Sequence, residues 1–315
     1  MGFLPDKMVK TGVLFPGQGA QFVGMGKDLA NHFEKVNRLY READQIVNFS
    51  LSQICFEGPE EILTRTLYAQ PAIFVTSLAF FAVLEEKFEN FKPDFVAGLS
   101  VGEFSALVAA GSLSFAEGLR LVKIRAELME SAASKKPGSM VSIIGLDQEE
   151  CAAIAKESGA QLSNLNAPDQ FVLSGTAAAI EQAAGLGEGM GAKRVIRLKV
   201  SGAFHSPLME DAKQGLQEAL KQVPVKSPRC LFAANATAKG ENDPERIRAL
   251  LALQLTSPVR WIESMQYARG QGVLRFIEVG PGRVLKGLAK RIDPTLEVFS
   301  FEKTSDLETV AALKA

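Results

Sequence analysis

The chain has 315 residues, 47% of them hydrophobic, with 35 lysines and arginines against 36 aspartates and glutamates. That composition supplies a large core and excludes wholesale disorder, and a formal net charge of −1 lacks the basic excess of a nucleic-acid-binding protein. Only two histidines, His32 and His205, are present, which excludes a multi-histidine metal site and leaves few candidates for a base near neutral pH.

Val13–Phe15 reads as a short buried strand running into the glycine-rich turn PGQGAQ at 16–21. Helical periodicity follows over 25–47 and 68–88. Pro93 resets the chain, residues 95–97 read as a second buried strand, and residues 98–102 form a tight turn into a helix over 103–110. Ser114 and Glu117 have the spacing of a capping box and open a helix that runs to about Ala133. The stretch 139–200 then reads as strand 139–145, helix 148–158, strands 160–166 and 170–174, helix 177–185 and strand 193–200. This βαββαβ order is ferredoxin-like. Beyond it, 230–234 and 275–279 read as buried strands, with helical segments between and after them. Strands alternating with helices predict an α/β fold, a mostly parallel sheet flanked by helices, with the ferredoxin-like subdomain inserted. The expected boundaries are 1–135 and 206–315 for the large domain and 136–205 for the subdomain.

Three cysteines, Cys55, Cys151 and Cys230, form no CxxC or Cys/His cluster; each reads as a small core residue in a reduced, cytoplasmic chain. Residues 1–10 lack the long apolar run of a signal peptide and read as a tail without assigned function. The apolar stretch Pro71–Leu84, interrupted by Thr76 and Ser77, reads as too short and too polar for a membrane span. Neither GxxxxGK[ST] nor a GxGxxG after a strand is present, so the common phosphate-cradling loops are missing.

The turn Gly98-Leu99-Ser100-Val101-Gly102 lies between a predicted strand and a predicted helix, the context of a nucleophile elbow. Glycines two residues either side of Ser100 allow a sharp turn that lifts the hydroxyl above the sheet edge. The same turn aims the Val101 amide at a helix N-terminus, where negative charge is favoured. Five residues alone also describe an ordinary glycine turn; the flanking elements favour the nucleophile. A serine needs a base. His32 sits in a charged helical stretch and reads as a surface residue. His205, in the turn after the last subdomain strand, is the better partner for Ser100, its alternative being a loop-capping histidine.

At 100° per residue, Gly118, Leu121, Val122, Leu128, Met129 and Ala132 form one apolar stripe, and Arg125 falls in its middle. An inward guanidinium keeps its proton and needs an anionic or hydrogen-bonding partner. Two readings stand: a buried internal carboxylate, or a carboxylate on the substrate held by the planar fork.

Taken together, FPGQGAQ with Gln18, GLSVGE with Ser100 and Glu103, Arg125, GAFHS with Phe204 and His205, QLTSPV with Gln254, and EVGPG with Glu278 occur in an order that resembles the malonyl-CoA:acyl-carrier-protein transacylases. The motifs span residues 15–282. The resemblance implies a hydrolase-like α/β domain with an inserted ferredoxin-like subdomain. It also implies transfer of malonyl from malonyl-CoA to the phosphopantetheine thiol of an acidic acyl carrier protein, feeding fatty-acid biosynthesis. Ser100 would be the nucleophile and His205 its base, in a dyad without a triad acid. Gln18 and the Val101 amide would form the oxyanion hole, Arg125 would hold the malonyl carboxylate, Gln254 would orient His205 through its backbone carbonyl, and Phe204 would select against a branched acyl group. No cofactor, metal, membrane or nucleic acid is implied, and a monomer is expected. Two basic groups are candidate carrier docks: Lys193, Arg194, Arg197 and Lys199, and Lys286, Lys290 and Arg291; solvated surface charge is the alternative for each. Two other readings stay open: a serine esterase or thioesterase on the same elbow, and a non-catalytic carrier-protein-binding relative, kept open by Leu99, where the family usually carries histidine.

Overall fold

The computed structural model describes residues 10–88 and 91–311; residues 1–9, most of the expected tail, lie outside the described residues. The chain opens with β1 (Thr11–Phe15). The helical stretch expected over 25–47 is divided at the extended residue Phe33 into α1 (Lys27–His32) and α2 (Glu34–Val47). Two short helices not anticipated from periodicity, α3 (Leu51–Glu57) and α4 (Glu60–Thr64), lead into α5 (Thr66–Lys87). Next come β2 (Phe95–Gly98), α6 (Gly102–Ala109) and α7 (Phe115–Lys135). The capping box of α7 is formed as expected: Ser114 Oγ accepts the Glu117 N–H at 3.2 Å, and the Glu117 carboxylate accepts the Ser114 N–H at 3.0 Å.

The subdomain runs β3 (Ser139–Ile144), α8 (Gln148–Ser158), β4 (Gln161–Ala167), β5 (Gln170–Gly175), α9 (Ala177–Gly189) and β6 (Arg194–Arg197). Its sheet has the order β4-β5-β3-β6 with every neighbouring pair antiparallel, the ferredoxin-like arrangement. β6 stops short of the expected residue 200. Beyond Arg197 only the Leu198 amide still bonds to the Met140 carbonyl, and Leu198 and Val200 pack onto the main core instead.

The remaining elements are α10 (Glu210–Lys221), β7 (Leu231–Phe232), α11 (Pro244–Leu253), α12 (Trp261–Gly270), β8 (Arg275–Val279), α13 (Val284–Ile292), β9 (Glu297–Phe301) and α14 (Leu307–Ala311). β7 is shorter than the expected 230–234, because the chain turns away at Asn235, whose side chain is committed elsewhere. β9 corrects the expectation that only helices follow residue 279. It is an edge strand bonded on one side to β8, and its burial does not alternate, so its period-two signal is weak.

The large sheet is wholly parallel with the order β7-β2-β1-β8-β9. Strand alternation sends Val13, Phe15, Val96 and Ile277 into one core with α2, α5, α6 and α7, and Leu14, Phe95, Ala97 and Phe276 into another with α12 and α13. The α5 helix corrects one expectation. By length and composition it is apolar enough to cross a membrane, yet 89% of its most apolar window is buried inside the fold, where it serves as the central core helix. Cys55 and Cys151 are buried as expected, whereas Cys230 is only half-buried. His32 is exposed on α1, its Nδ1 2.8 Å from the Asp28 carbonyl oxygen.

The subdomain is fastened to the large domain beside the segment that follows α11. The Leu165 amide donates to the Val259 carbonyl and the Val259 amide to the Ser163 carbonyl, each at 2.9 Å. This join places the face of β4 opposite the carboxyl ends of β1 and β2, and a crevice forms there.

Candidate active site

Ser100 sits at the turn between β2 and α6 with φ +54°, a left-handed conformation unusual for a residue with a side chain. The flanking glycines are steric necessities. A Cβ on Gly98 would lie 1.9 Å from the Gly102 carbonyl oxygen, and one on Gly102 would lie 2.3 Å from that of Phe15. Asn235 clamps the turn from the side. Its Oδ1 accepts the Ser100 N–H at 2.8 Å, and its Nδ2 donates to the Gly98 carbonyl at 2.7 Å.

The turn carries Ser100 Oγ to within 2.8 Å of His205 Nε2. His205 is buried, also at positive φ (+56°), and its Nδ1 lies 2.8 Å from the Gln254 backbone carbonyl oxygen. A carbonyl can only accept, so Nδ1 holds the proton and Nε2 offers its lone pair to the serine hydroxyl. His205 therefore meets its sequence-derived place opposite Ser100, and Gln254 meets its place behind the ring.

Arg125, on α7, is fully buried. Its Nη1 donates to Gln70 Oε1 at 2.6 Å; its Nη2 donates to Gln254 Oε1 at 2.8 Å and to Ser100 Oγ at 3.0 Å. The guanidinium also lies 5.8 Å from the centroid of the Phe104 ring. Among the described residues it has amide and hydroxyl partners but no carboxylate in ion-pair contact, and its Nε has no acceptor. The internal-carboxylate alternative is thereby overturned; donor capacity and charge remain directed at the site.

Burial lowers Arg125 to about 10, partly opposed by the charge of Glu103, so it remains cationic at neutral pH. Burial, reinforced by the Arg125 charge, lowers His205 to about 4, so its imidazole is neutral and basic at pH 7. Glu103, on α6 and 1% exposed, is pushed up to about 8, chiefly by burial. One of its oxygens accepts the Asn235 N–H at 3.3 Å, and the other accepts Gln254 Nε2–H in a short hydrogen bond.

A cavity of about 280 Å³ opens over these groups, lined by Gln18, Arg125 and His205 from the large domain and by Asn164, Asn166 and Leu198 from the subdomain. Phe204, buried at 5% exposure, and Leu99 also line it. Gln18 is fixed by its side chain, which donates to Thr66 Oγ1 at 3.2 Å. Among the described residues neither the Gln18 nor the Val101 backbone amide donates to an acceptor, and Val101 stands immediately before α6. All seven residues singled out from sequence thus line or buttress one crevice. The basic groups are less uniform: Glu181 holds Arg197 through two hydrogen bonds, and Asp169 and Gln170 hold Arg291. Lys199 lines the cavity itself.

Comparison with known proteins agrees with this geometry. The model of the acyl transferase domain matches residues 13–298. The malonyl CoA-acyl carrier protein transacylase of Bacillus subtilis is 44% identical over 309 residues, 96% of each chain. The chain belongs to the malonyl-CoA–acyl carrier protein transacylase family. A solved acyl-carrier-protein-S-malonyltransferase from Bartonella henselae superposes with a TM-score of 0.93 at 38% identity, covering 97% of this chain and all of the other. A malonyl-transacylase solved in complex with its type II PKS acyl-carrier protein superposes at 0.91, also with 38% identity, over 97% and 99% of the two chains.

Three residues of this transacylase-family site were not singled out from sequence. Gln70 lies inside the apolar run of α5, where one polar residue carries little signal. Glu103 stands in the GLSVGE motif, but nothing in the sequence shows that its carboxylate turns inward. Asn235 is 135 residues from the serine it clamps, and only its place just after a short strand hints at a sheet-edge position.

Gly98→Ala is expected to force the Gly102 carbonyl aside and dislocate the turn. The expected loss is about 1–3 kcal/mol of stability for the overpacked atom and at least about 10²-fold in kcat/KM for acyl transfer. Urea unfolding and steady-state kinetics measure the two; wild-type kinetics would contradict the steric assignment.

Proposed function

We propose that this chain transfers a malonyl group from malonyl-CoA to the phosphopantetheine thiol of an acyl carrier protein, supplying fatty-acid biosynthesis, with Ser100 as nucleophile. The observation that carries the reading is the meeting of a buried, carboxylate-free Arg125 with the Ser100–His205 pair in one crevice. An esterase site has no need of a buried cation beside its nucleophile, whereas a malonyl group brings a free carboxylate to pair with it. We assign the large domain to 1–135 and 206–315 and the subdomain to 136–205, a division supported by the two separate sheets.

In the first half-reaction His205 Nε2 takes the Ser100 hydroxyl proton as Oγ attacks the thioester carbonyl carbon. General-base assistance of this kind contributes about 10²–10⁴-fold. The backbone amides of Gln18 and Val101 receive the oxyanion, a role supported by their having no other acceptor among the described residues, and the start of α6 adds favourable potential. Collapse of the tetrahedral adduct breaks the C–S bond, the proton on His205 passes to the leaving CoA thiolate, and a malonyl ester on Ser100 remains. Arg125 holds the distal carboxylate in a charge-assisted pair. In the second half the carrier thiol gives its proton to His205, its sulfur attacks the ester, and the serine hydroxyl is regenerated. Ping-pong kinetics follow. The chemistry requires no resident cofactor. Phe204 narrows the cavity against a branched acyl chain. Lys199 at the cavity and the exposed Lys193, Arg194, Lys286 and Lys290 supply basic charge suited to an acidic carrier protein in the cytoplasm.

Incubation with malonyl-CoA followed by intact-mass spectrometry is expected to show a malonyl adduct that Ser100→Ala abolishes; release of malonate with no adduct would favour the hydrolase reading. Arg125→Ala is expected to depress malonyl loading by about 10²-fold, the scale of one charge-assisted bidentate pair, while acetyl loading is spared or improved. Equal loss of both would remove Arg125 from carboxylate recognition.

His205 works as a base only when neutral, and its lowered pKa keeps it neutral down to about pH 4. The acid limb of kcat/KM, which reports the free enzyme, is therefore expected near pH 4 rather than at the ordinary histidine value of 6.5. Malonyl binding compensates the Arg125 charge that helps depress His205, so the acid limb of kcat is expected at higher pH than that of kcat/KM. Coincident limbs at 6.5 would contradict the electrostatic account.

A further inference from the structure

Glu103 takes no part in the chemistry above, yet this buried carboxylate is hydrogen-bonded to the residues that hold both Ser100 and His205. Its side chain is 1% exposed and makes no direct ion pair with Arg125; each oxygen instead accepts an N–H from a different buried residue, Asn235 and Gln254, both 0% exposed. Each of those residues holds a different half of the nucleophile–base pair. Asn235 fixes the strained serine turn through the Ser100 N–H and the Gly98 carbonyl. Gln254 holds the His205 ring through its backbone carbonyl, supports the Ser100 carbonyl through Nε2 at 3.0 Å, and receives Arg125 Nη2 on Oε1. The Gln254 amide therefore has one allowed orientation, nitrogen toward the carboxylate and oxygen toward the guanidinium.

We infer that Glu103 is a positioning residue, a buried two-pronged acceptor that sets the serine turn and the histidine in register by holding Asn235 and Gln254 at once. Two properties make a carboxylate suited to this place. In its ionised form, which the two N–H donors favour against the burial that raises its pKa, both oxygens accept, whereas an amide at the same position turns its own NH₂ toward one of the donors. By binding Gln254 Nε2 it also leaves Gln254 Oε1 facing Arg125, orienting the amide without touching the arginine, which stays open to a substrate carboxylate. A carboxylate in direct contact with Arg125 would close that opening.

This inference rests on the acyl-transfer reading, and its test separates the two. Malonyl-CoA is mixed with wild type, Glu103→Gln and Asn235→Ala; intact-mass spectrometry counts the sites that become malonylated, and rapid quench gives the acylation rate constant per such site. Glu103→Gln keeps the volume and one acceptor and is expected to slow acylation per site by about 10- to 100-fold, the range for a displaced catalytic geometry, with KM for malonyl-CoA within about twofold because Arg125 is left in place. Asn235→Ala is expected to give the same signature through the serine turn alone, and Glu103→Asp, which keeps both acceptor oxygens on a shorter arm, decides the matter if Glu103→Gln fails to fold: a wild-type rate per site would overturn the inference. A merely structural role predicts fewer malonylated sites, each reacting at the wild-type rate, and that result overturns the inference. Absence of an adduct on the wild-type chain would instead overturn the acyl-transfer reading.

Discussion

The site is organised by one constraint: a guanidinium buried completely in the fold, unable to lose its proton and given no carboxylate to pair with. Arg125 is held by amide oxygens from α5 and from the segment after α11. Amide dipoles satisfy hydrogen bonds without cancelling charge, so the crevice retains a positive potential. That potential reaches the neighbouring groups. It adds to burial in keeping His205 neutral, and it joins the Gln254 and Asn235 hydrogen bonds in opposing the burial that pushes Glu103 up. Ser100 Oγ receives an Arg125 N–H as well, so in the proposed reaction the attacking atom has a cationic donor beside it as it loses its proton.

The same constraint accounts for a dyad in place of a triad. A carboxylate on Nδ1 of His205 would orient the ring as well as a carbonyl does and would stabilise the imidazolium better. It would also bring a second anion into the field of Arg125, compensate its charge and raise the pKa of the imidazole. The Gln254 carbonyl fixes the tautomer while leaving the arginine uncompensated. In the proposed reaction the loss in imidazolium stabilisation is offset by the substrate's own carboxylate, which supplies the missing negative charge.

How far the sequence reached follows from the range of its signals. Local patterns were legible: the glycines around Ser100, the capping box of α7, the short apolar runs that mark β1 and β8 as buried strands, and the apolar stripe interrupted by Arg125. Topology of the subdomain followed from element order, since βαββαβ admits few arrangements. What escaped were contacts between residues far apart in the chain. Asn235 and Gln70 reveal their roles only when three-dimensional packing brings them to Ser100 and Arg125. β9, an edge strand with one bonded side, lacks the alternation that would have marked it, and α5 shows that composition alone does not distinguish a core helix from a membrane span. The arginine's two readings could not be separated from sequence because partner identity is a tertiary fact.

Leu99 shows which demands on the residue beside the nucleophile come from the backbone. Its N–H donates to the Phe15 carbonyl at 3.0 Å, and its own carbonyl accepts the Gly102 N–H at 3.0 Å, so the main chain at this position ties β1 to the elbow whatever the side chain. A Cβ on Gly17 would lie 2.4 Å from the Leu99 carbonyl oxygen, which fixes glycine in the opposing turn for the same reason. The side chain itself turns away from His205's hydrogen bonds, packing against the second core and lining the cavity near Val284 and Leu288. None of the bonds that hold Ser100, His205, Gln254 or Asn235 passes through it. A histidine there would add a polar group to a wall that α13 makes apolar; leucine leaves that wall continuous. The hydrogen bonds that join Ser100, His205, Arg125, Gln254 and Asn235 are thus complete without the Leu99 side chain, which contributes to the lining of the crevice.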